Sequence, residues 1–219
     1  MSFKGNGLQD IEGKVLGSER LSFADGVRLF REANPLQLST WANLVRQRLH
    51  PDDLVTFVIG RNINYTNVCW VRCKFCSFYR LPGAEGGYVL PREEIFRKIE
   101  ELLALGGTEI LIQGGLNPVL KIDYFEELFR AIKARVPIHI HGLSPAEIIY
   151  LAKISDLDER ECLVRLKAAG LDSIPGAGAE MLVDEVREQI ALIFQKWFGS
   201  LGRPTGALLA VYLINGIPE

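Results

Sequence analysis

Three of the four cysteines in this chain of 219 residues fall within eight positions, as Cys69-x3-Cys73-x2-Cys76 in the segment NVCWVRCKFCSFYR. Thiolates so spaced on one loop point to metal or redox chemistry. A structural zinc site wants four protein ligands, commonly two separated pairs, and the nearby sequence offers no histidine and no further cysteine. Cys162 is remote, shares an apolar helical stripe with Leu166 and reads as a buried core thiol. An iron–sulfur cluster of four irons is normally held by four thiolates. Three leave one iron open, which a cluster needs if it is to bind a small molecule directly. An iron–sulfur cluster with a vacant iron is therefore preferred, with zinc and coincidental structural cysteines as the rival readings.

Other residues carry weaker signals. Gly114 and Gly115 follow Gln113 at the end of an apolar run, where two glycines make a tight turn. His139 and His141 alternate with Ile138 and Ile140, so a strand's period of two puts both imidazoles on one face. Polar groups on an inward face need partners, and the pair is assigned to substrate contact, with a satisfied structural pair as the alternative. Ser144 before Pro145 suits a helix N-cap. Glu180 opens a helical pattern, where a carboxylate complements the helix dipole. Arg72 and Lys74 either balance the charge of a thiolate-ligated cluster or are simply solvated.

The elements that must position these residues alternate between apolar runs and amphipathic helices. Residues 53–66 open with a β-branched and aromatic run that reads as a buried strand. Pro91 is placed as the first residue of a helix with Ile95, Ile99, Leu102 and Leu103 on one face, stopped by Gly106-Gly107. Strands are expected at 108–115 and 137–144, with a helix between them carrying Phe125, Leu128, Phe129 and Ile132. Helices follow around 145–154 and 158–169, then a strand over 171–178 and a helix over 182–198, with 205–214 as a further strand. Helices also fill 20–50. Strands alternating with helices indicate βαβ units and a parallel sheet. In parallel barrels the chemistry lies at the C-terminal strand ends. Here those ends are NYTNVC, QGGLNP, HGLSP and GAGAE, the polar and glycine-rich parts of an apolar chain.

Composition asks for few partners. The net charge of −2, from 25 basic and 27 acidic residues, implies no nucleic-acid partner. The N-terminus lacks the apolar stretch of a secretory signal. The longest apolar run, Ala207–Ile214, is far short of the ~20 residues that cross a bilayer. The expectation is a cytoplasmic protein in reducing conditions, with no membrane partner and no disulfides.

With its aromatic residue before the last thiol, Cys69-x3-Cys73-x-Phe75-Cys76 resembles the signature of the radical S-adenosylmethionine (SAM) superfamily. The segments RNINYTNVCWVRCKFCSFYR, ILIQGGLNP, IHIHGLSP and LDSIPGAGAE together resemble its menaquinone branch on the futalosine route, most of all the dehypoxanthine futalosine cyclases. Aminofutalosine synthases and deazaflavin synthases are close cousins. The resemblance runs from about residue 10 to 190 and fades after about 192. It implies a partial (βα) TIM-type barrel, truncated at its C-terminal side, over 51–219, with 1–50 a helical segment packing on it.

The resemblance also implies the chemistry. Cys69, Cys73 and Cys76 hold a [4Fe–4S] cluster whose open iron binds the amino and carboxylate groups of SAM, and cleavage gives a 5′-deoxyadenosyl radical that abstracts hydrogen. Phe75 packs near the adenine, the backbone of Gly114 and Gly115 meets the methionine amino group, and Glu180 binds the ribose hydroxyls. Leu116 stands where many relatives carry Glu. Ser144 faces the substrate pocket, and the substrate is nucleoside-derived: its ribose radical adds to the benzoate ring. An electron donor such as flavodoxin or ferredoxin is implied. If the chain ends at Glu219, radical formation without matched ring closure is expected. An open sheet edge there favours self-association, and a non-catalytic cluster-binding fragment is the alternative from another class.

Overall fold

The computed structural model describes residues 7–52, 54–176 and 184–190. They fall into two compact units that divide between Phe57 and Val58. The first holds α1 (Gln9–Leu16), α2 (Phe23–Glu32) and α3 (Pro35–Leu49). Leu8, Ile11, Val15 and Trp41 form its core. Ser22 opens α2 in a capping box with Asp25 at N3, and the same Asp25 carboxylate takes the Lys14 ammonium at 2.7 Å.

The second unit is built on β1 (Gly60–Asn64), β2 (Glu109–Gln113) and β3 (His139–Gly142), joined through α4 (Arg92–Ala104) and α5 (Ile122–Arg135). The three strands are parallel in the order β1-β2-β3. This is the βαβ repeat that alternating apolar runs demand. After β3 come α6 (Pro145–Ile154) and α7 (Glu159–Ala169), and α8 (Asp184–Ile190) lies within the expected last helix.

Each strand has two faces of different character. Ile63, Ile110, Ile112 and Ile140 are buried against Ile95 and Ile99 of α4, Leu128, Phe129 and Ile132 of α5, and Cys162 and Leu166 of α7. This apolar layer stabilises the unit at roughly 25 cal/mol for each Å² removed from water. The opposite face carries Asn62 and Asn64, Glu109 and Gln113, and His139 and His141. Leu111 is the one large apolar residue on that face.

Helix ends follow from capping chemistry. Ser144 and Asp158 cap α6 and α7 as side-chain acceptors, and Gly170 closes α7 at φ 116°, a left-handed geometry that favours glycine. Pro91 stands one residue earlier than expected, as the N-cap of α4 rather than its first helical residue.

Two strand expectations need correction. Residues 54–59 are irregular, and Leu54, Val55 and Phe57 are between 72% and 81% exposed, so β1 begins only at Gly60. Within 171–178 the described residues form a single parallel bridge, His141 to Ser173, and no ladder. The strand expected at 205–214 lies outside the described residues. No helix among the described residues is long and apolar enough to cross a membrane.

Candidate functional site

Beyond β1 the chain enters the cysteine loop through three buried residues, Tyr65, Thr66 and Asn67. Thr66 Oγ1 donates to the Tyr88 carbonyl at 2.6 Å and accepts the Val68 N–H at 3.1 Å and the Asn117 amide at 3.3 Å. Asn67 donates to the Gly86 carbonyl at 2.9 Å and accepts the Tyr88 N–H at 2.8 Å. The Cys69 N–H donates to the Arg80 carbonyl at 2.8 Å, and the Arg80 N–H to that of Asn67 at 2.8 Å. Both ends of the loop are thus tied by hydrogen bonds that involve no thiol.

Inside the loop, the Cys76 N–H donates to the Cys73 carbonyl at 3.1 Å, so Cys73 and Cys76 close one turn with Lys74 and Phe75 at its corner. Phe75 is 53% exposed there, and Arg72 and Lys74 are exposed too. Cys69 and Cys73 pack on Val71, Leu116 and Tyr150. Cys69, Cys73 and Cys76 are all half-buried, and none of the four cysteines is paired in a disulfide. Burial pushes the Cys69 thiol up from its ordinary value.

Among the described residues, no three His, Cys, Asp or Glu side chains converge on one metal-ion position. A zinc centre requires such convergence. A cluster takes each thiolate on a different iron, which spreads the ligands. The three half-buried thiols on a pre-tied loop suit the cluster.

The Gly114–Gly115 turn lies directly against this loop. A Cβ on Gly115 would sit 2.4 Å from the Val68 carbonyl oxygen and 2.8 Å from Cys69 Cβ. One on Gly114 would sit 2.7 Å from the Tyr65 ring. Glycine is required at both positions by close approach. The Gly115 N–H donates to the Thr66 carbonyl at 3.0 Å, and the Trp70 N–H to that of Leu116 at 3.3 Å. A narrow cavity beside the turn is lined by Tyr65, Gly115, Leu116, Asn117, Glu147 and Tyr150.

The other expected residues are placed as follows. Ser144 is buried and caps α6, accepting the Glu147 N–H at 3.3 Å. His139 and His141 share a face as expected, and both imidazoles meet the Ser173 hydroxyl, His139 Nε2 at 2.7 Å and His141 Nδ1 at 2.6 Å. Ser173 thus partners one nitrogen of each imidazole. Glu180 lies outside the described residues.

Sequence reasoning missed Glu147, Tyr65, Thr66, Asn67 and Asn117. Only Glu147 had a readable signal, the Ser-x-x-Glu spacing of a capping box in SPAE. It is buried among three strand ends, and burial pushes its carboxyl up against the pull of its hydrogen bonds.

Cys162 behaves as a core thiol. It is fully buried, and that burial raises its thiol to about 12. Brief alkylation of the folded, iron-free protein is expected to label the 69–76 segment and spare Cys162 until denaturant is added. Equal labelling of Cys162 in the native protein, read by peptide mass spectrometry, contradicts this burial.

Comparison with known proteins places the chain in a family. The family model of the radical SAM superfamily matches residues 63–197. The chain is 45% identical over 198 residues to the cyclic dehypoxanthine futalosine synthase of Halalkalibacterium halodurans, covering 89% of this chain and 54% of that protein. It is 40% identical over 188 residues to that of Streptomyces coelicolor, covering 84% and 47%. The chain thus spans about half the length of these relatives. Among solved structures it resembles the FeFe-hydrogenase maturase HydG of Carboxydothermus hydrogenoformans at TM-score 0.52 and 20% identity, covering 76% of this chain and 47% of that one. The chain therefore belongs to the radical SAM superfamily, whose members work with a [4Fe–4S] cluster and S-adenosylmethionine.

Proposed function

We propose that the chain is the cluster-bearing part of a radical SAM enzyme that cyclises dehypoxanthine futalosine in menaquinone biosynthesis. The observation that carries this reading is the 45% identity across 89% of the chain with a protein of that named activity. Cys69, Cys73 and Cys76 hold the cluster and leave one iron for SAM. When bound and reduced, the cluster supplies the electron that cleaves SAM to the hydrogen-abstracting 5′-deoxyadenosyl radical. The protein's own part is to bind, orient and keep water away.

The Gly114–Gly115 backbone receives the methionine amino group, and a side chain at either position would push the turn off Tyr65, Val68 and Cys69. Phe75, exposed at the corner of the cysteine turn, is free to cover the adenine. Glu180 takes the ribose hydroxyls. Ser144, His139 and His141 lie on the substrate side, the histidines fixed in orientation by Ser173. A flavodoxin or ferredoxin delivers the electron, and exposed Arg72 and Lys74 beside the thiols suit an acidic donor of that kind. Among the described residues β1 has β2 as its one ladder partner, and that open edge favours association with another chain. Thiols kept reduced for cluster ligation fit a cytoplasmic location.

The test is turnover by anaerobically reconstituted protein with reductant, SAM and dehypoxanthine futalosine. The expected result is 5′-deoxyadenosine that depends on reductant, together with cyclic product. The ratio of the two reports how well these residues shield the radical. Turnover of an aminofutalosine or deazaflavin precursor instead moves the chain to a neighbouring branch. No 5′-deoxyadenosine from cluster-loaded protein overturns the assignment as an enzyme.

A further inference from the structure

Glu147 is a buried carboxylate that does more than cap its helix. Its Oε2 accepts the Ser144 N–H at 2.7 Å, completing the capping box of α6. Its Oε1 accepts the Tyr65 hydroxyl at 2.9 Å and the Gly114 N–H at 3.0 Å. Tyr65 follows β1, Gly114 follows β2 and Ser144 lies just beyond β3. One side chain therefore joins the ends of all three strands, at the edge of the sheet that carries the cysteine loop.

The capping box of α2 shows what capping alone requires. There Asp25, one methylene shorter, returns to the Ser22 N–H at 2.8 Å and closes the box. Asp25 also bonds a lysine, whereas among the described residues the hydrogen-bond donors to Glu147 are a neutral hydroxyl and backbone N–H groups. A buried carboxylate held only by neutral donors is costly unless each is well placed. Its second oxygen is spent on the glycine turn. That turn lies against Val68 and Cys69, so Glu147 reaches the cluster loop through Gly114, beside the direct ties of Gly115 to Thr66 and of Trp70 to Leu116.

We propose that Glu147 is the positioning residue of the cofactor cradle, fixing the Gly114–Gly115 turn against the Cys69 end of the cluster loop so that SAM binds in one orientation. This rests on the reading that the turn receives the amino-acid end of SAM.

The separating variant is Glu147→Asp. Asp at N3 still closes a capping box, as in α2, but its shorter reach withdraws it from Gly114 and Tyr65. The reconstituted 219-residue protein is examined by iron content, SAM titration and the electron paramagnetic resonance spectrum of the reduced cluster before and after SAM. The parent is read first: a parent that loads iron but binds no SAM refutes the cofactor reading, and this proposal with it. Given a SAM-binding parent, Glu147→Asp is expected to load parent levels of iron, bind SAM at least tenfold more weakly and lose the parental spectral change on SAM addition. Parental SAM affinity and spectral change, whatever the melting temperature, overturn the proposal and leave Glu147 a helix cap. Should Glu147→Asp not fold, Tyr65→Phe decides on the same two readings. It removes one donor to the same oxygen and keeps the ring. A weaker, spectrally altered SAM complex supports the proposal, and parental values overturn it.

Discussion

Reconstituted protein carrying Cys69→Ala, Cys73→Ala or Cys76→Ala is expected to lose its iron, from about four per chain in the parent to near none. Cys162→Ala should keep the parental content. Each thiolate in the proposed site holds a different iron, so losing one leaves two irons without a protein ligand and the cluster open to solvent. The fourth cysteine offers no ready substitute, because Cys162 is fully buried. Cys162 is sealed in the apolar layer with Ile148 and Leu166 and has no path to the loop. Iron and sulfide analysis after anaerobic reconstitution is the measurement. Full loading of the triple variant ends the assignment of these thiols.

The second large effect is expected from Gly115→Ala. Its new methyl would lie 2.4 Å from the Val68 carbonyl oxygen and 2.8 Å from both the Val68 carbonyl carbon and Cys69 Cβ. The atoms it meets are mostly backbone, so no rotamer change relieves the overlap. The turn or the cluster loop must move, and each is held by hydrogen bonds to the other. Overpacking of this kind costs about 1–3 kcal/mol and sometimes more. A loss near 3 kcal/mol lowers the melting temperature of a domain this size by roughly 6–12 °C. Gly13→Ala is the control: it lies within α1 with nothing inside 4 Å of its added carbon. There alanine should match or exceed the parent by up to about 1 kcal/mol. Equal melting of Gly115→Ala and Gly13→Ala would mean that the turn does not approach the loop as described.

Local chemistry made most of the second unit legible in the sequence. Helices α6 and α7 were placed from Ser144, Pro145 and Gly170 because caps act within a few residues of themselves. The polar face of β3 followed from alternation alone. The run from Leu54 to Ile59 misled, because β-branched residues make a strand only where a sheet offers them a ladder and a covered face. In the fold those side chains have neither, and most remain exposed. The cysteine loop was legible from spacing. The Ser173 hydroxyl shared by His139 and His141, and the second oxygen of Glu147, depend on residues more than thirty positions away. Nothing in a short window of sequence encodes such meetings.

The ties at both ends of the cysteine loop have a consequence for the order of events in the protein's life. Thr66 and Asn67 clasp 86–88, and Cys69 is bracketed to Arg80, through hydroxyl, amide and backbone groups and no thiol. In small zinc domains the metal is the scaffold, and the chain without it collapses. Here the ties of the loop involve no thiol, so the scaffold is expected to form before the metal arrives, which equal circular dichroism of the iron-free and reconstituted protein would check. The polypeptide can leave the ribosome, fold and wait with its thiols presented, and the delivery of iron and sulfide becomes a separate, later event. Scarcity of iron then limits how many molecules are charged, not how many are folded.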